Sequence, residues 1–193
     1  MACNSKITQN ILFDACNDAP KKGLSGSKGV IINYDDIDFT STTSSGSTVT
    51  TLTLKNGTSG FSVAWYKQLG SYAGEFAKND EAIDGFTNSF LTRLGTSSAE
   101  NAERANELKS GKFIMVVETE YKGASNLDAY KVIGFQAGLE LSEMTTSSNE
   151  NSGSILFTLA SPTDTFEQYP FMVLNEGSFS ATTASYAALF AEV

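Results

Sequence analysis

The chain has 193 residues, 40% of them hydrophobic and 11% aromatic, which is enough apolar chain to bury a core and excludes wholesale disorder. With 13 basic against 22 acidic residues the net charge is −9, so the surface repels nucleic acid instead of neutralising its phosphates. Histidine is absent, which removes Ser-His-Asp and Cys-His catalysis and most zinc chemistry.

At the amino end Met1 to Asn10 is polar, and Ile11-Leu12-Phe13 is far shorter than the apolar stretch of an export signal. No apolar run approaches the length of a membrane span, so no membrane anchor is expected. Cys3 and Cys16 are compatible with a bridge or with two thiols, and a chain made in a cytoplasm carries the thiols. Pro20 to Gly29 is a basic, glycine-rich loop carrying Lys21, Lys22 and Lys28. A phosphate-binding Walker loop needs Gly-x4-Gly-Lys-Ser/Thr ahead of a helix, whereas Lys28 is followed by Gly29 and a strand pattern. The loop is therefore expected to be solvated or to touch another subunit.

Val30, Ile32 and Tyr34 alternate with Ile31 and Asn33, which predicts a strand entering the core. Asp35, Asp36 and Asp38 follow without the central glycine and distant glutamate of a calcium loop, and read as a solvated strand end. The Thr/Ser run from Thr40 to Thr48 lacks charge and predicts a mobile loop or an arm ordered by a neighbour. Asn56-Gly57 suits a two-residue turn, which would set Leu54 opposite Ser59, Leu52 opposite Phe61 and Thr50 opposite Val63. Trp65, Tyr66 and Tyr72 form the densest aromatic cluster. Trp65 continues the alternation of Phe61 and Val63, so Trp65 and Tyr66 are assigned to the core or to subunit contacts ahead of a sugar-stacking platform.

Two helices are predicted next. Over roughly 80–94, Ile83, Phe86, Phe90 and Leu94 recur at three- and four-residue spacing, with Asn79 or Asp80 as cap and Gly95 as stop. Over 98–109 the stripe is Ala99, Ala102, Ala105 and Leu108, ringed by Glu100, Glu103, Arg104 and Glu107. Acidic residues early in these segments, Glu81, Asp84, Glu100 and Glu103, suit the helix dipole rather than acid/base chemistry.

From Lys112 to Ala160 three strand-like runs, 112–121, 130–142 and 154–160, are joined by two long polar linkers, the pattern of a long-armed antiparallel meander. The first run starts apolar on both faces, and the second is read as one strand with Ile133, Phe135, Ala137, Leu139 and Leu141 on a single face. Gly134 and Gly138 on its other face suggest tight curvature or the close approach of another backbone. The last segment ends in an Ala/Ser/Thr-rich stretch, Ala181 to Phe190, expected to dock on its own subunit or another and to be mobile in a free one, as are the basic loop and the Thr/Ser run. The divisions are thus 1–29 as amino-terminal extension and basic loop, 30–180 as a β-sandwich domain, and 181–193 as carboxy-terminal tail.

The succession Phe-Ile-Met-Val-Val-Glu-Thr-Glu-Tyr from Phe113, Tyr-Lys-Val-Ile-Gly-Phe-Gln-Ala-Gly-Leu-Glu-Leu from Tyr130, Ser-Ile-Leu-Phe-Thr-Leu from Ser154 and Tyr-Pro-Phe-Met-Val-Leu from Tyr169 resembles tail-tube and head–tail connector ring proteins of tailed bacteriophages, in the style of crAss-like and other Bacteroidota phages. The resemblance covers about 112–174. It implies a mainly β fold with one or two helices, an antiparallel sandwich or barrel with long hairpin arms, joined around a channel as a six- or twelve-fold homo-oligomeric ring. It also implies a place in the virion, with an adjacent ring, portal or tail proteins as partners and genomic DNA only as passing cargo, the chain being made in the host bacterial cytoplasm. The extended amino end and the Thr40–Thr48 arm depart from a minimal tube subunit, so a repeating tube protein and a single connector ring both stay open.

The acidic balance agrees with a conduit, because a wall without positive charge gains no counterion-release affinity for passing DNA. Glu118, Glu120, Glu140 and Glu143 are the candidate channel-lining residues, and Lys21, Lys22, Lys28, Trp65 and Tyr66 the candidate subunit contacts. No catalytic residue, cofactor or metal is expected. A carbohydrate-binding sandwich using Trp65, Tyr66 and Tyr72 is the alternative, and a hydrolase drawing on Glu118, Glu120 and Glu140 ranks last.

Overall fold

The computed structural model describes residues 23–65, 69–79, 83–150 and 153–190, with Ile7 and Asn10. Two sheets stack as an open sandwich. The larger contains β1 (Lys28–Asn33), β2 (Thr43–Ser45), β3 (Thr48–Thr51), β4 (Phe61–Ala64), β7 (Phe113–Glu118), β8 (Tyr130–Ile133) and β11 (Met172–Leu174), in the order β2-β3-β11-β8-β7-β1-β4. The smaller is β5 (Ser71–Ala77), β6 (Gly85–Leu94), β10 (Ile155–Ala160) and β9 (Glu140–Thr146), in that order and antiparallel throughout. In the larger sheet only the β3–β11 pair is parallel. Helix α1 (Ala99–Leu108) links the end of β6 to β7, and α2 (Phe179–Ala188) follows β11.

The sequence of β7 explains why the larger sheet is the middle layer. Ile114 and Val116 point one way and Met115 and Val117 the other, and all four are fully buried. The first pair joins a core with Val30, Ile32, Tyr130 and Val132, closed by Tyr186 of α2 and by Leu189, which caps its carboxy end. The second joins Phe90, Ile133, Phe157 and Leu159 between the two sheets. A strand buried on both faces needs apolar side chains at every buried position, which β7 has from Phe113 to Val117.

Several expectations are corrected. Residues 85–94 form β6, a strand and not a helix. Phe86, Phe90 and Leu94 are four apart, a spacing that keeps one face in a strand as well as in a helix, and here Asn88 and Thr92 between them are buried too. Ile83, whose three-residue step to Phe86 alone argued for a helix, lies outside the strand and is 77% exposed. The hairpin about Asn56-Gly57 does not form. β3 pairs with β2 and β11, while β4 pairs with β1 in the register Ile31↔Phe61, so the two strands end up at opposite sides of the larger sheet.

The run 130–142 is also not one strand. β8 ends at Ile133, and Gly134 (φ 78°) and Gly138 (φ 73°) close a turn in which the Gly138 N–H donates to the Gly134 carbonyl at 3.0 Å. The chain then enters the other sheet as β9. A left-handed backbone conformation is available to glycine without strain, so the two glycines mark a crossing between layers and not the curvature of one arm. The long meander is therefore two separate hairpins, β7–β8 and β9–β10, one in each sheet.

The Thr/Ser run is ordered within the subunit as the hairpin β2–β3, turning at Gly46 (φ 58°) and tied by a 2.8 Å contact between the Thr43 and Thr50 hydroxyls. The tail is likewise held by its own chain. α2 is capped by Ser178, whose hydroxyl accepts from the Ala181 N–H, and it sets Tyr186 against Tyr130 at 4.7 Å between ring centroids. The boundary expected at 181 falls inside this helix, and the boundary expected at 29 falls inside β1.

Gly74 on β5 packs directly against the backbone of Pro170, just ahead of β11. A Cβ there would lie 2.0 Å from the Pro170 carbonyl oxygen and 2.7 Å from its carbon, all backbone that no rotamer change moves. Gly74→Ala is expected to destabilise the isolated chain by about 2 kcal/mol, within the range of overpacking, as read from its urea midpoint. An unchanged midpoint would mean that β5 stands off from the 170 segment.

Candidate functional site

Where β5 leans over β8 and β11, a cleft of about 340 Å³ opens between the sheets. Its chemistry centres on Lys131. Strand alternation puts Lys131 on the same side of β8 as Ile133, between Val117 on β7 and Val173 on β11, so a charged side chain enters an apolar layer. The residue is 5% exposed. Its ammonium sits 4.9 Å from the centroid of the Phe171 ring, and among the described residues no carboxylate or carbonyl binds it. Burial pushes its pKa below the ordinary lysine value, opposed by the charge of Asp128. Tyr72 packs edge-on to Phe171 at 6.2 Å across the cleft, and burial raises its phenol. Ser71 of β5 and, just beyond β7, Thr119 and Tyr121 complete the polar lining.

A second buried charge, Glu167, has a different role. It is 2% exposed, and its carboxylate accepts the Gln136 N–H at 3.0 Å and the Ala137 N–H at 2.8 Å, capping the turn between β8 and β9. Its own backbone exchanges hydrogen bonds with Phe86 of β6 at 2.8 and 2.9 Å. Burial raises its pKa, and the two N–H groups and the Lys112 charge act against that rise.

The candidate channel-lining residues are not brought together within the subunit. Glu118 continues the Ile114–Val116 face toward α2 and is ion-paired with Lys122, whose pKa that contact raises. Glu120 is exposed just beyond β7. Glu140 and Glu143 lie on the outer face of the smaller sheet, opposite Ala160 and Thr158, with the inward positions taken by Leu141 and Met144. No two of these carboxylates are set across the cleft. Asp38 accepts from Thr40 and Ser41, which holds its carboxyl down to about 2, with the Ser41 hydroxyl the largest cause. Among the described residues no group of three His, Cys, Asp or Glu side chains is placed to hold a metal.

Of the candidate subunit contacts, Trp65 is corrected. It is 6% exposed, lies 6.0 Å from Phe90 between the sheets, and is packed on by Gly29 and Gly70, so it belongs to the subunit's own core. Lys28 is exposed at the start of β1, with its ammonium 4.8 Å from the Phe190 ring. Lys21, Lys22 and Tyr66 lie outside the described residues, as do Cys3 and Cys16. Lys131 and Glu167 escaped the sequence reading. Lys131 had a signal, a lysine at an inward position of an apolar strand, whereas Glu167 sits in an irregular stretch that gave none.

No protein family, curated protein or solved structure matches the chain. No helix among the described residues is long and apolar enough to cross a membrane.

Proposed function

We propose that the chain is a structural subunit of the tail tube or head–tail connector of a tailed bacteriophage, assembling as a six- or twelve-fold ring around the DNA conduit. The observation that carries this reading is the outer edge of β4 in the larger sheet, which no other strand pairs among the described residues and which only a single parallel bridge between Gly60 and Phe190 touches at its start. β4 (Phe-Ser-Val-Ala) has no charge, proline or bulge, and its Phe61 is 54% exposed. Natural monomers blunt such edges, because a row of free N–H and C=O groups beside an apolar side chain recruits another strand. The far end of the β5–β6 hairpin adds a second apolar patch, with Phe76 65% exposed and edge-on to Phe86 at 6.2 Å. The acidic balance of −9 and the resemblance over 112–174 support a conduit that does not hold DNA. In this reading the protein is located in the virion and performs no reaction.

The carbohydrate-binding alternative needs Trp65, Tyr66 and Tyr72 exposed together, and the burial of Trp65 takes one of the three away.

The test is assembly of the purified chain, followed by analytical ultracentrifugation and electron microscopy. A ring with a central channel is expected, and Phe61→Lys is expected to leave a folded monomer, because a lysine on an edge strand opposes pairing. A wild-type chain that stays monomeric at every concentration, or a Phe61→Lys variant that assembles as well as wild type, would overturn the proposal.

A further inference from the structure

We propose that the cleft beside Lys131 is a binding site for a small organic carboxylate with an apolar or aromatic body. The inference does not rest on the ring reading, since it concerns the space between the two sheets of one subunit.

Three observations carry it. Lys131 is 5% exposed and lines the cleft, yet among the described residues its ammonium has only the Phe171 ring for company. The side chain is buried along its stem while the ammonium itself is not sealed from the cleft, so an anion entering there supplies the charge-assisted hydrogen bonds it lacks. The opening of about 340 Å³ is at the small end of ligand pockets, which run from about 300 to 1,000 Å³. Its walls then select the body of the ligand: Leu24, Phe171 and the ring of Tyr72 present apolar surface.

The polar lining selects the head group. The Thr119 hydroxyl is committed to the carbonyls of Tyr121 at 2.7 Å and Ala129 at 3.1 Å, so the side-chain groups left to meet a ligand are the Lys131 ammonium, the Ser71 hydroxyl and the phenols of Tyr72 and Tyr121. Asp128 is the acidic group whose charge reaches Lys131, and it does not bind it. One positive charge balances one negative charge. A phosphate dianion would keep a surplus charge in a subunit that is already net negative, because no second cation stands among the described lining residues.

The probe is benzoate, titrated into the full chain and followed by amide NMR, with neutral benzamide as the matched control. Saturable shifts at Tyr72, Thr119 and Lys131 are expected. Benzamide, and benzoate on Lys131→Met, should bind roughly tenfold more weakly or worse, the weight of a charge-assisted hydrogen bond. Methionine keeps the length of the stem, and should that variant fail to fold, wild type alone decides the matter. Benzoate should then protect Lys131 from reductive methylation while exposed Lys55 and Lys109 react unchanged, as read by peptide mass mapping. Shifts that are absent or lie elsewhere, equal binding of benzamide, equal binding by Lys131→Met, or an unprotected Lys131 would each overturn the site.

Discussion

Replacing Glu167 by alanine is expected to destabilise the isolated chain by roughly 3–5 kcal/mol, because it strips the acceptor from the buried Ala137 N–H and the part-buried Gln136 N–H at about 1–3 kcal/mol each and leaves a void. The two donors, Gln136 and Ala137, belong to the turn that carries the chain from β8 to β9, and thus from one sheet to the other. Around them the Tyr34 hydroxyl donates to the Gln136 carbonyl at 2.7 Å, and the Gln136 side chain accepts the Gln168 N–H at 2.7 Å. Removing the carboxylate therefore loosens the crossing as a unit. Glu167→Gln should be much milder, since a single amide oxygen can accept both donors, as the Glu167 Oε1 does at 3.0 and 2.8 Å.

The same residue gives a pH signature. Burial raises its folded pKa above the ordinary value of 4.5. A carboxyl raised on folding contributes stability that is fully present below the unfolded value and is lost as pH rises through the folded one. The wild-type urea midpoint is thus expected to fall relative to that of Glu167→Gln as pH climbs from 4.5 through the raised value, because glutamine has no proton to lose. Parallel pH profiles for the two proteins would show that the buried carboxyl is not perturbed.

Trp65→Ala should cost roughly 3–5 kcal/mol in the isolated subunit, the range for emptying an aromatic site in a core. The indole lies against Phe90 and fits between Gly29 and Gly70, where added Cβ atoms would come within 3.1 and 2.8 Å of its ring. Trp65→Phe is expected to lose less than half as much. It keeps an aromatic ring in the space and removes the indole N–H, which is buried without a partner among the described residues. Denaturation of the unassembled chain by circular dichroism distinguishes a core residue from a contact residue. Unchanged monomer stability with weakened assembly would return Trp65 to the interface.

Legibility followed the range of the interactions. β1 and β7 were readable because their periods are written in their own residues: alternation in Val30 and Ile32, and apolar side chains at every position from Phe113 to Val117. Helix α1 was readable from its alanine stripe, and the structure adds Ser98, whose hydroxyl accepts the Asn101 N–H as an N-cap. β6 was not, because a four-residue recurrence fits both periods and only its partners, β5 and β10, distinguish them. The Thr43–Thr51 hairpin was missed for the opposite reason. Its residues carry almost no apolar pattern, and its order comes from the parallel pairing of β3 with β11, more than 120 residues later in the chain.

By themselves the residues determined that the chain is mainly β, that it carries an excess of acid, that it has no histidine for catalysis, and that one strand is apolar on both faces. These follow from composition and from periods that repeat within a few residues. The tertiary structure decided which strands meet, that the chain changes sheets at Gly134 to Gly138, that Trp65 faces inward, and that Lys131 borders a cleft. Each depends on groups far apart in sequence, and a two-residue period states which side chains share a face without stating what that face will cover.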